Sequence, residues 1–160
     1  MFGFKKEKAV ALVAPVTGRL LALAQVPDEV FSTGMLGEGL AIEPTGKVAV
    51  APCSGVLSYV AETKHAYVIT GPWDLEVMVH IGLDTVKLAG DGFKQLKAQG
   101  AQVKAGEPII EFDTLVFKDH ELSAVTPMVL TNKEQIGKMT RVDVTEVTAG
   151  ETTVLKVEMV

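Results

Sequence analysis

Val13-Ala14-Pro15-Val16-Thr17-Gly18-Arg19-Leu20 returns as Val50-Ala51-Pro52-Cys53-Ser54-Gly55-Val56-Leu57, the pattern V-A-P-x-[TS]-G-x-L displaced by 37 positions. A second echo, V-K-A-G-E at 103–107 and V-T-A-G-E at 147–151, is displaced by 44. In each copy of this echo a glycine able to turn the chain precedes an apolar or β-branched run, 108–112 and 152–157. The echoes are too few and too short for a solenoid. They read as matching corners of two related halves of one β structure.

Outward from these corners, strand patterns are dense: 12–16, 18–25, 39–43, 47–51, 55–60, 66–70, 74–80, 108–113, 125–130, 141–147 and 152–159. Turn signals separate them at Pro44-Thr45-Gly46, Gly71-Pro72 and Thr131-Asn132. Helical spacing is confined to 92–100, where Phe93, Leu96 and Lys97 fall at i, i+3 and i+4 between glycines, and to short turns at 115–122 and 133–136. The expected class is all-β: an antiparallel sandwich or barrel-sandwich hybrid with internal pseudo-duplication and one to three short helices. A chain of 160 residues suits one domain with a real core, expected over 12–160 behind a short tail, 1–11.

The net charge of −5 leaves no basic stripe for phosphate backbones, which argues against a nucleic-acid partner and for proteins with basic faces. A lone cysteine, Cys53, excludes an intrachain disulfide and fits a reducing compartment; it reads as a small buried residue. The apolar run at 9–14 stops at Pro15, short of a signal peptide, and no run nears the roughly 18 residues of a membrane helix. The expected location is the cytoplasm, without membrane insertion.

Only three histidines occur, and two lie fifteen positions apart inside alternating apolar runs, His65 and His80. If the segments flanking Gly71-Pro72 form a hairpin centred on Pro72-Trp73, His65 pairs with His80, their Cβ atoms about 5 Å apart. A tighter turn pairs His65 with Met78 and leaves His80 diagonal. Two imidazolium ions that close would repel, so at least one ring stays neutral near neutral pH. A neutral ring keeps a bare nitrogen that can attack phosphorus or bind a metal, so the pair reads as a phosphohistidine relay or as half a zinc site. No HxH or HExxH accompanies it, and neither GxxxxGK[ST] nor GxGxxG occurs. A phosphoryl group would then come from another protein instead of a nucleotide. Val30, Phe31, Met78, Ile81 and Val86 would rim a docking site, with core packing the competing reading for each. Val79, on the opposite strand face from His80, is expected in the core.

The blocks VPDEVFSTGMLGEGLAIEPTG (26–46), KHA (64–66), VHIGLDTVKLAGDGF (79–93), VKAGEPIIEFD (103–113) and TPMVLTN (126–132) resemble the glucose-type enzyme IIA family of the bacterial sugar phosphotransferase system. The likeness runs over roughly 12–158, and histidine followed by I-G-L-D-T-V, with a second histidine fifteen positions upstream, is specific to it. The resemblance implies that His80 is phosphorylated on Nε2 by the histidine phosphocarrier HPr and passes the group to the IIB domain of a sugar permease. It implies His65 as the companion ring, Thr63 as the residue positioning its other nitrogen, and Asp84 as an orienting and partner-binding acid. Val30, Phe31, Met78 and Val86 fall in the family's apolar ring, although relatives often carry phenylalanine at the position of Met78. No cofactor or metal is required; a zinc ion shared by His65, His80 and a partner's carboxylate stays open. Two other modules of related hybrid-barrel shape fit less well. Biotinyl or lipoyl carriers need a lysine at a hairpin tip in a Met-Lys-Met or Asp-Lys-Ala setting, which is absent, and zinc peptidases need HxH beside the HxxxD of 80–84. His120 lies outside every shared block and reads as a surface residue.

Overall fold

The computed structural model describes residues 8–160. Among these residues fourteen strands pair throughout in antiparallel fashion and form three sheets. The largest orders β13 (Glu146–Val147), β2 (Gly18–Ala22), β3 (Glu38–Pro44), β11 (Thr126–Leu130), β7 (Glu76–His80), β6 (Ala66–Thr70), β5 (Gly55–Val60) and β9 (Gln102–Val103). A second holds β1 (Ala9–Val13), β14 (Thr153–Met159) and β12 (Ile136–Arg141), and a third β4 (Val48–Val50), β10 (Pro108–Phe112) and β8 (Phe93–Gln95). Between them lies one main core, in which Leu12, Leu40, Leu57, Ile69, Val77, Val79, Ile110 and Leu155 are fully buried. Tyr67 is buried with them, and its hydroxyl donates to the Val50 carbonyl at 2.6 Å, so the ring adds apolar area without an orphaned polar atom. The all-β expectation holds.

The repeated octapeptides are bonded to each other. Val13 N–H donates to Pro52 O at 2.9 Å, and its counterpart 37 positions on, Val50 N–H, donates to Pro15 O at 2.8 Å. The second echo docks on the first in the same reciprocal way. Gly150 N–H reaches Ala14 O and Gly106 N–H reaches Ala51 O, while Ala149 N–H reaches Thr17 Oγ1 and Ala105 N–H reaches Ser54 Oγ. Each motif residue therefore has a chemical task. Pro15 and Pro52 have no N–H to leave orphaned. Gly18 and Gly55 lie so close to the neighbouring strand that a Cβ would overlap Glu43 O or Thr70 O.

Element by element, the structure departs from expectation in some places and meets it in others. The stretch 92–100 is β8 and a turn, not a helix: backbone pairing with β10 satisfies its hydrogen bonds as a strand and puts Phe93 on Phe117, ring centroids 5.2 Å apart. The first strand is 9–13, not 12–16, because the ladder ends before Pro15; it begins inside the segment assigned to the tail. The remainder of that tail, 1–7, lies outside the described residues. The strand expected over 141–147 is two strands, 136–141 and 146–147, with a 3₁₀ turn Lys133–Gln135 before them. The helix expected near 115–122 is α2 (Thr114–Asp119), capped by Asp113, whose carboxylate accepts from Leu115 N–H at 3.0 Å. A further helix, α1 (Glu29–Ser32), stands where only apolar rim residues were foreseen. No helix among the described residues is long and apolar enough to cross a membrane.

Candidate functional site

His80 closes β7. Alternation along that strand sends Val77 and Val79 into the core and leaves Met78 and His80 on the other face, both half-buried. Across the ladder the residue opposite His80 is Ala66, so neither expected register occurs. The connection is a 3₁₀ turn, Pro72–Asp74, with Trp73 and Asp74 both at positive φ, which centres the hairpin on Trp73. Small Ala66 leaves room over the strand.

His65 stands just outside β6, and its carbonyl accepts from Ile81 N–H at 2.7 Å. Strict alternation would turn its side chain inward with Ile81. The chain departs from alternation one residue earlier: Lys64 has φ +62°, in a turn where its N–H donates to Ala61 O at 2.8 Å. The ring swings back onto the face of His80, and the two imidazoles meet edge to face with centroids 4.9 Å apart. The expected juxtaposition is present, reached through a local break in the strand instead of a cross-strand pair.

His80 Nδ1 lies 2.7 Å from Gly82 O. Only a protonated nitrogen can donate to a carbonyl, so the neutral ring carries its proton on Nδ1 and leaves Nε2 bare. His65 Nδ1 lies 2.6 Å from Thr63 Oγ1. Burial depresses the pKa of His80, opposed by the Gly82 carbonyl and the charges of Asp28 and Asp84. Burial and the neighbouring His80 bring His65 down to about 4. Both rings are neutral at neutral pH.

The two rings open into a depression of ≈ 360 Å³ whose apolar lining includes Val30, Phe31, Met78 and Val86. Val30 and Val86 are exposed, as a docking rim requires. Phe31 is 4 % exposed and packs tilted on His80 at 5.0 Å, so it forms the wall of the depression, not its rim. Ile81 is 0 % exposed: the residue after a strand-end histidine falls on the core face, and the docking contact expected of it is replaced by packing. Asp84 is exposed with φ +58°, and it acts on His80 through charge. Sequence reasoning missed Asp28, Leu36 and Tyr59, which line the same depression. A signal existed for Asp28, an N-cap residue before Glu29, whose carboxylate accepts from Val30 N–H at 2.9 Å. For Tyr59, exposed on β5, there was none. A second depression, ≈ 380 Å³ between Lys47, Lys94 and Glu111, holds no histidine or cysteine. Cys53 is buried, its thiol pushed up to about 11, and His120 lies exposed at the end of α2 with Nδ1 3.0 Å from Val116 O. Among the described residues no group of three or more His, Cys, Asp or Glu is placed to hold a metal ion.

Comparison with known proteins gives one answer. Residues 10–136 match the family described as phosphoenolpyruvate-dependent sugar phosphotransferase system, EIIA 1. The glucose-specific EIIA component of Oceanobacillus iheyensis is 37% identical over 153 residues, 96% of this chain and 93% of that one. The N-acetylglucosamine-specific EIICBA component of Klebsiella pneumoniae is 38% identical over 148 residues, 92% of this chain but 23% of the longer protein. Glucose permease IIA from Mycoplasma capricolum superimposes with a TM-score of 0.87 at 35% identity, covering 97% of this chain and 99% of that one.

Proposed function

Because the chain belongs to the phosphoenolpyruvate-dependent sugar phosphotransferase system EIIA 1 family, we propose that it is a cytoplasmic phosphocarrier working between HPr and the IIB domain of a sugar permease. The observation that carries the reading is the 2.7 Å contact from His80 Nδ1 to Gly82 O, which leaves Nε2 as the free nucleophile at the depression.

The lone pair of His80 Nε2 attacks the phosphorus of phospho-HPr. A new N–P bond forms as the donor's N–P bond breaks, and that bonding pair returns to the donor imidazole. No proton need be removed from Nε2 first, because Gly82 holds the proton on the far nitrogen. In onward transfer His80 is the leaving group: a nucleophile of IIB forms the new bond to phosphorus as the Nε2–P bond breaks, and that bonding pair returns to the His80 ring. Thr63 donates its hydroxyl proton to His65 Nδ1, which leaves His65 Nε2–H to donate to a phosphoryl oxygen. Phosphoryl transfer asks mostly for such positioning and charge stabilisation. The exposed apolar rim lets two partners dock in turn, each over a small area, so that the carrier can leave. Asp28 and Asp84 beside it favour partners with basic faces. A relative that is named EIICBA in a single chain supports a IIB acceptor. In this reading the phosphoryl group rides on His80 without a cofactor, and a zinc ion would need a partner's carboxylate beside the two histidines.

Incubation with enzyme I, HPr and phosphoenolpyruvate tests the assignment: the chain should gain an acid-labile, base-stable phosphate. His80→Gln should gain none. His65→Gln should accept phosphate and fail to pass it to IIB, and normal onward transfer by that variant would remove the companion role.

A further inference from the structure

The side chain of Thr85 is fully enclosed, and its hydroxyl donates to the Ile81 carbonyl at 2.5 Å. That carbonyl belongs to the same peptide unit as the N–H of Gly82. Its orientation therefore sets φ at residue 82, which stands at +79°. Glycine could adopt the opposite sign of φ at little cost, so nothing in residue 82 itself prevents this peptide from turning over. If it did, the Gly82 carbonyl would leave the line of His80 Nδ1. Two contacts hold the peptide in place: the Thr85 hydroxyl on its oxygen, and the Thr85 methyl against Gly82, in the space a Cβ would take. The preceding peptide is held as well, by Ile81 N–H on the carbonyl of His65. A free neutral imidazole can carry its proton on either nitrogen; here one carbonyl selects which.

We infer that Thr85 is a positioning residue whose hydroxyl locks the Ile81–Gly82 peptide, keeps the proton of His80 on Nδ1 and so keeps Nε2 available for phosphoryl transfer. Its importance for rate rests on the phosphocarrier reading above; its effect on the ring does not. Nitrogen NMR of the labelled imidazoles at neutral pH reads the tautomer without any partner, and phosphorylation by phospho-HPr reads the rate. Thr85→Val keeps the methyl group and removes the hydroxyl. It should convert His80 from a single Nδ1–H form to a mixture and slow phosphorylation about ten-fold or more. Thr85→Ser, which restores the hydroxyl, should recover both signals. Thr85→Ala carries the same expectation as valine and serves if the valine variant does not fold. A hydroxyl-free variant with an unmixed Nδ1–H ring overturns the inference, and so does failure of serine to rescue. Wild-type protein that shows the Nδ1–H ring but takes no phosphate from HPr would remove the phosphocarrier reading and leave the lock standing.

Discussion

The two ends of this molecule are built on opposite plans. At the corners every device appears twice: Val13 and Val50 donate to each other's proline carbonyls, Thr17 and Ser54 accept from Ala149 and Ala105, and Gly18 and Gly55 each admit a neighbouring strand. At the histidine face nothing is duplicated. The backbone leaves regular strand geometry at Lys64, Gly82 and Asp84, apolar side chains stay exposed, and two neutral rings stand in contact. Reciprocal hydrogen bonds tie the two corners to each other. The irregular face keeps a bare nitrogen and an uncovered rim because its groups are not paired off. The scaffold supplies rigidity, and the exceptions to regularity supply chemistry.

The comparison can be broken first at the corners. A methyl group at Gly55 would overlap the Thr70 carbonyl, so Gly55→Ala should cost about 3 kcal/mol in urea unfolding, and Gly18→Ala should do the same against Glu43. Folded protein from either variant should still accept phosphate; a stable, inactive variant would show that the two regions are not separable. Lys64 comes next. Lys64→Val places a β-branched residue at φ +62° and should cost about 1–2 kcal/mol, while Lys64→Asn should cost little. The valine variant should lose onward transfer to IIB more than acceptance from HPr, because it is His65 that moves.

The mildest effect is in pH. The folded-state pKa of His65 lies near 4 and the ordinary value is 6.5, so the unfolded chain binds more protons between them. Stability should therefore rise with pH across that window, level off above 6.5, and fall as acid is added toward 4. His80, shifted in the same direction, adds to the slope. His65→Gln should flatten the urea midpoint against pH in this range, whereas no corner substitution should change its shape. An unaltered profile in the glutamine variant would show that the rings are not held neutral by their burial.

Much of this was legible before any fold. Alternation identified Val79 as core and His80 as its opposite, and the octapeptide repeat marked the corners that pair. The helix at 92–100 misled because Phe93, Leu96 and Lys97 fall at helical spacing, whereas the chain there takes up pairing with β10 through Phe93–Gln95 and turns after it. Ile81 was misplaced because an apolar residue beside a nucleophile reads equally well as rim or as core. Tyr59 was invisible, since a lone tyrosine on a strand carries no sign of which face lies beside the site.

The chain alone determined that two halves repeat, that the fold is all-β and that His65 and His80 share a neighbourhood, since periodicity and spacing are properties of nearby residues. Tertiary structure alone decided the register, the turn at Lys64 that brings His65 back over the strand, and the carbonyl that holds the His80 proton on Nδ1 and leaves Nε2 bare. Those depend on how each turn is held by the residues packed around it, and a short sequence can take either arrangement until that packing chooses.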